Sequence, residues 1–515
     1  MTVNLAATGN ALKLTCGFKI LLRTHSLNSA IRSHIGRRFK NFSYNNAAMS
    51  NDAHLRKVMG FGDLVLFYLV TALSLRWIAT AAAAGPSSIV IWIVGCLTYF
   101  VPLTFCVLEL SSRYPEEGGM YLWSKKAFGE FAGFMTGWMY WTANLPYYPG
   151  VLYFAAGNAL FVGGDRWQYL SNSSSYFIIT ALVGLGFGFF LNLVGLDIGK
   201  WLHNLGAIGT WLPASMLIVM GSVAWLRFGS ATLINGTTLL PASSLKNVFF
   251  WSTVAFAFGG VEGASTMGSE IRDARRNIPR ALLIAGVIIT FIYVAATAGV
   301  LVSLPAEDVT GLQGFMQAIS KVGQRIGLEG IAPSVALLVT LSSVGGVSAW
   351  FAASSRLPFV AGVDKFLPAA FGRVHPRWNT PYVAMAVQAV LAAIFIFLGQ
   401  AGTSVKGAYD FLVGMGVISY FLPFLYMFAA VIRLQKEPAG PGVMRIPGGK
   451  PVAIFLAILG LLTTIISSVL ACIPPDEDPN KLLAVVKLIG SSALMVGIGA
   501  VIYWAGRRDN SSSDA

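Results

Sequence analysis

Charge is what this sequence has least of: Asp, Glu, Lys and Arg make up only 11% of its 515 residues, against roughly a quarter in a soluble globular domain. With 55% of residues hydrophobic and a mean hydropathy of +0.67, that scarcity excludes an ordinary soluble fold and points to an integral membrane protein. Cysteine is also scarce. Cys16, Cys96, Cys106 and Cys472 are scattered, without metal-binding spacing or a disulfide framework. The five histidines, at 25, 34, 54, 203 and 375, are isolated, so the His, Asp, Cys or Lys cluster that a membrane enzyme would need is missing. No G-x-x-x-x-G-K-[ST] run is present to bind a nucleotide. No catalytic group, metal or cofactor is therefore expected. The net charge of +14 sits largely in loops between apolar runs, where a positive-inside bias explains it better than nucleic-acid binding does.

What is abundant is apolar sequence in runs of membrane-crossing length. Spans are expected near 60–82, 88–112, 131–162, 175–195, 204–226, 248–267, 281–304, 332–355, 381–399, 408–433, 452–472 and 484–504, an all-α fold of about twelve transmembrane helices. If residue 58 is cytoplasmic, the cytoplasmic loops collect most of the Lys and Arg, including Lys200, Arg275, Arg276 and Arg356. Both termini of this multi-pass protein then lie in the cytoplasm. Residues 1–57 differ from the rest, being polar and basic against a single acid, Asp52. A cytoplasmic tail, a transit peptide and a true start at Met49 all fit that stretch. The remaining expected division is a core over 58–433, two more spans over 434–506 and a short cytoplasmic tail over 507–515.

Helix breakers inside spans point to sites, because irregular backbone at membrane depth is tolerated only within protein or beside a water-filled cavity. Span six carries Gly259-Gly260 near its middle, followed by Glu262 and Gly263. Glycines alone fit close helix packing, but an intramembrane carboxylate is expensive and marks a functional position. Span one, LVTALSLRWIATAAAAGP, lacks a central glycine but carries Thr71, Ser74 and Arg76, so a break near 71–74 is open to it. Glu262 and Arg76 either serve separately or pair. His203 lies near an expected loop and could titrate around neutral pH.

The run AFGGVEGASTMGSEIRDARRNIPRA resembles the sixth span and following loop of the amino acid–polyamine–organocation transporters. AAAAGPSS, LELSSRYPEEGGMYLWSKKAFGEFAGFMTGW, SRLPFVAGVDKFLPAAFGRVHPRWNTP and MRIPGGKP agree with that family in the same order, and the likeness covers residues 55–505. It implies the LeuT-type fold, with two five-helix inverted repeats, unwound spans one and six, and alternating access. The substrate site implied comprises Val70, Thr71, Ala72, Ser74, Phe256, Gly259, Gly260 and Trp350. Glu262 and Arg76 take coupling or gating roles, with Glu262 facing the cavity; Glu109 and Glu270 form cytoplasmic gate or structural ion pairs. Two departures stand out: Val70-Thr71-Ala72 replaces a common Gly-x-Gly, and Thr210 occupies the place of a span-five lysine. Ser342 and Ser343 lie near the sodium ligands of sodium-coupled relatives, although serines in an apolar helix more often bond their own backbone.

The activity implied is secondary active transport of an amino acid, driven first by proton symport, with exchange or polyamine–proton symport as alternatives. The expected partners are the small-molecule substrate, protons and the lipid bilayer of the cell membrane. A channel and a binding-only receptor relative are the rivals.

Overall fold

A bilayer offers the backbone no water, so long apolar segments close their hydrogen bonds internally as helices. The computed structural model describes residues 55–309, 312–471, 490 and 493–507; their regular structure is helical, joined by turns and loops, with one isolated bridge between Met59 and Ile271. The basic stretch before residue 55, including Met49, lies outside the described residues, as do residues 472–489 and nearly all of the 507–515 tail.

The helices, in order, are α1 (Phe61–Ala72), α2 (Leu75–Ala83), α3 (Ser88–Arg113), α4 (Met120–Phe128), α5 (Glu130–Ala159), α6 (Ser174–Val194), α7 (Leu196–Phe228) and α8 (Leu245–Ala257). A 3-10 segment, Gly263–Glu270, precedes α9 (Ala274–Ser303), α10 (Gly314–Ile326), α11 (Ala332–Val363), α12 (Tyr382–Gln400), α13 (Val405–Leu434), α14 (Gly449–Ala471) and α15 (Ala493–Arg507). Among the described residues, eight continuous or nearly continuous helical stretches are long and apolar enough to cross a membrane. Their outer faces leave Val287, Phe291, Val390, Phe455 and Val469 exposed, as lipid-facing surfaces do.

α5 packs on both α11 and α13, and α11 also packs on α7. α1 packs on α9, α7 and α11, and α8 packs on α3 and α14. Small residues permit the closest of these approaches: the Cα atoms of Gly206 in α7 and Gly345 in α11 face each other, and a Cβ added at Gly206 would lie 2.7 Å from Gly345 Cα.

Several expected loop residues lie inside helices. α7 begins eight residues before the expected span, so His203 is 1% exposed, with Nε2 3.2 Å from the Ser348 hydroxyl, rather than close to a loop. Lys200 likewise sits in α7 and is bound to Asp63 at 3.1 Å. α11 continues to Val363, which takes Arg356 out of its expected loop and into the protein interior. Arg275 and Arg276 open α9. Polar first and last turns escape a reading that follows apolar runs.

Candidate functional site

The first interrupted helix stops at Ala72, passes through Leu73 and Ser74 in extended conformation, and resumes at Leu75. The second stops at Ala257 and continues as the 3-10 segment from Gly263. Each interruption frees backbone groups that a helix would have satisfied, and side chains from neighbouring helices take them up. Trp350 Nε1 donates to the Thr71 carbonyl at 3.1 Å. The Tyr293 hydroxyl of α9 accepts from Ser74 N–H at 3.0 Å and lies 3.0 Å from the carbonyls of both Ala72 and Ala257. Tyr293 is itself stacked on Trp92 with ring centroids 4.2 Å apart.

The two interruptions touch at Gly260. Its φ of +116° suits glycine, and a Cβ there would meet the Thr71 carbonyl oxygen at 2.7 Å and Ala72 Cα at 3.0 Å. The second span could therefore cross the first only with glycine at this position.

Between the interruptions lies a cavity of about 420 Å³ including its open mouth, lined by both broken helices, α5, α11 and α13. Thr71, Ala72, Ser74, Arg76, Phe256, Gly259 and Trp350 all line it. Val70 and Gly260 do not; Val70 turns toward Gly206 of α7, and Gly260 supports the wall from behind. Sequence reading missed Trp77, Asn144, Tyr147 and Tyr420 in the lining. Asn144 and Tyr147 fall in a stretch of α5 interrupted by Pro146 and Pro149, a breaker signal that could have marked them. Tyr420 gave no such signal.

Glu262 does not face the cavity and does not pair with Arg76. Its side chain is fully buried, with Oε1 receiving the hydroxyls of Tyr140 and Tyr420 at 2.7 Å each and Oε2 receiving Gly260 N–H at 3.0 Å. Tyr420 stands between it and the cavity, touching both. Arg76, 2% exposed, lies instead against two rings, with Cζ 4.4 Å from the Trp77 centroid and 5.2 Å from that of Tyr147. Near the sodium-ligand positions, Ser343 donates to the Val339 carbonyl at 3.0 Å, and Ser342 and Thr210 share a hydrogen bond at 2.6 Å. Hydroxyls so paired need no ion to satisfy them.

At the end of the bundle where the described chain begins, a second polar assembly ties the elements together. Arg356 forms a bidentate pair with Glu270, Nε to Oε2 at 2.7 Å and Nη2 to Oε1 at 2.9 Å. The Glu270 carbonyl accepts Val58 N–H and Met59 N–H at 2.8 and 3.1 Å, so the lead into α1 is fastened to the end of the 3-10 segment. Glu109 forms a different tie: it pairs with Arg113 at 3.0 Å and receives Gln435 Nε2 and Ile446 N–H, joining α3 to the chain between α13 and α14.

Glu117, in the turn between α3 and α4, accepts the N–H and hydroxyl of Ser269 on Oε2. Burial, and after it the Glu270 carboxylate, push its carboxyl up to about 8 against the opposing pull of Arg356 and Ser269. Because this value lies above the ordinary 4.5, the stabilisation is full in the lower carboxylate range and is lost as pH rises through about 8. The melting temperature of the purified protein is expected to fall between about pH 5 and pH 9, and to fall less steeply in Glu117→Gln. An equal slope in the variant would place the pH dependence elsewhere.

Helices of crossing length, two of them interrupted beside a cavity, define a multi-pass membrane protein of the transporter class. Residues 58–500 match the model of the amino acid permease family, and the chain belongs to that family, within the amino acid–polyamine–organocation superfamily. It is 30% identical to an uncharacterized transporter of Legionella pneumophila over 86% of this chain and 96% of that one. It is 24% identical to a probable agmatine/putrescine antiporter of Lactococcus lactis over 82% of this chain and 88% of the relative. A glutamate/serine transporter of Bacillus subtilis is also 24% identical, over 68% of this chain and 66% of its own length.

Proposed function

We propose that the protein is a secondary active transporter that carries an amino acid across the cell membrane by alternating access, with proton-coupled symport as its mode. The observation that carries this reading is the cavity at which two interrupted helices meet. The first turn of α2 offers N–H groups to a carboxylate, and the carbonyls that end α1 and α8, which keep a second lone pair beyond their bonds to Trp350 and Tyr293, can accept from an ammonium group. An α-amino acid presents both.

In this reading α1 with α2, and α8 with the 3-10 segment, each form one span, and with α3, α5, α6, α7, α9 and α11 to α15 they make twelve. The first ten form the inverted-repeat core over 58–433, and the last two follow over 434–506. The distribution of Lys and Arg supports cytoplasmic termini. The Glu270–Arg356 assembly is then the cytoplasmic gate, here closed. Glu262 suits a coupling role because its carboxylate reaches the cavity wall only through Tyr420, so a change in its proton alters a residue that touches substrate. Exchange is the second reading, favoured by the likeness to the probable antiporter of Lactococcus lactis.

Uptake of a radiolabelled panel of amino acids and polyamines into proteoliposomes tests both. Proton symport predicts gradient-stimulated uptake that falls by about tenfold or more in Glu262→Gln, the scale of losing hydrogen bonds to a charged group. Uptake that requires amino acid preloaded inside would replace symport by exchange, and no flux of any compound in either mode would sink the transporter reading.

A further inference from the structure

We propose that the cavity selects an anionic substrate, an amino acid bearing a second carboxylate, and that Arg76 is the residue that grips it. This deepens the transporter reading and rests on it.

Arg76 carries the one charge among the described residues that line the cavity; the others are hydroxyl, amide, aromatic or small side chains. The group is 2% exposed, and its Nε is buried without a hydrogen-bond partner. No ion pair to it is formed among the described residues. A buried guanidinium in this state is costly unless an anion joins it. The obvious internal candidate, Glu262, is committed elsewhere: both its oxygens are taken by Tyr140, Tyr420 and Gly260 N–H.

The guanidinium is also held ready for an anion. The rings of Trp77 and Tyr147 lie at 4.4 and 5.2 Å from its Cζ, a setting that restrains the planar fork and leaves its N–H groups to a ligand. Such a fork matches a carboxylate through two parallel hydrogen bonds.

Counting charges then separates the substrate classes. A zwitterion is satisfied by the helix ends alone, its carboxylate at the start of α2 and its ammonium at the carbonyl ends of α1 and α8, and it would leave Arg76 uncompensated. A polyamine or a basic amino acid would add positive charge beside Arg76, in a cavity that no described carboxylate lines. A dicarboxylic amino acid uses every feature: one carboxylate for the helix end, one for Arg76, and one ammonium for the carbonyls.

The test uses the full chain in proteoliposomes with labelled glutamate, aspartate, glutamine, asparagine, arginine and putrescine, under both a proton gradient and internal preloading. The expected result is saturable uptake of glutamate or aspartate at an efficiency at least about tenfold above that of the isosteric amide. Arg76→Gln should lose most of that uptake while keeping or gaining uptake of the amide, and Arg76→Lys should restore part of it. Amide uptake in Arg76→Gln also shows that the variant has folded. The idea is overturned if amides or cations are carried as well as the acids, or if Arg76→Gln lowers every substrate by the same factor, which would make the arginine structural. With no flux of any compound, the transport reading fails by itself. The charge preference is then decided by whether glutamate raises the melting temperature of wild type more than glutamine does, and equal shifts overturn it.

Discussion

Arg356→Ala is expected to destabilise the protein by about 3–5 kcal/mol, the scale of breaking a buried ion pair and leaving one charge without its partner. Glu270 is 2% exposed, and both its carboxylate oxygens are held by the arginine, at 2.7 and 2.9 Å, so its charge would be stranded in the interior. The loss would also loosen the fastening of Val58 and Met59 to the Glu270 carbonyl, because the side chain and carbonyl belong to the same residue. Thermal unfolding of the purified variant measures the effect. Glu270→Gln should be milder, since the amide still offers the arginine an acceptor. A melting temperature for Arg356→Ala within error of wild type would show that the pair contributes nothing net, as some buried pairs do not.

The second large effect is expected at Gly260. In Gly260→Val the side chain must adopt a φ of +116° and lie 2.7 Å from the Thr71 carbonyl oxygen, so either the backbone flips or the two broken helices separate. Backbone strain of this kind costs about 1–3 kcal/mol before any displacement of α1 is counted. Uptake should fall to background, because Thr71 and Ala72, the residues pushed aside, line the cavity. Gly263→Ala is the internal control: its Cβ would meet nothing nearer than Phe67 at 3.7 Å, and it should behave much as wild type does. If both variants were equally impaired, the close crossing at Gly260 would not be the cause. If neither were, α1 and the second broken span would have room that the structure denies them.

Much of the site was legible in the sequence because breakers and hydroxyls in an otherwise apolar span have few uses at membrane depth. Thr71, Ser74 and Gly259 all fall where that logic put them. It failed for Glu262, because a buried carboxylate can be satisfied by tyrosines as well as by an arginine, and neither Tyr140 nor Tyr420 is distinguishable in sequence from a packing aromatic. The sequence gives no sign that Arg356 is buried, because its partner, Glu270, lies 86 residues away and a long-range pair has no periodic signature. α10 escapes a search for apolar runs for a different reason. Its buried Phe315, Met316, Ile319 and Val322 recur at helical spacing, but amphipathically, in a helix of 13 residues that falls short of a membrane-crossing run.

Tyr293 acts as a bolt through two hinges. Its single hydroxyl meets Ser74 N–H, the Ala72 carbonyl and the Ala257 carbonyl, which belong to the loose ends of both interrupted helices, while Trp92 clamps its ring from the other side. A hydroxyl has only one proton to give, so the two carbonyls compete for it and neither helix end can swing away without changing what holds the other. The two interruptions thus behave as one joint with a shared pin, and the motion open to them is concerted.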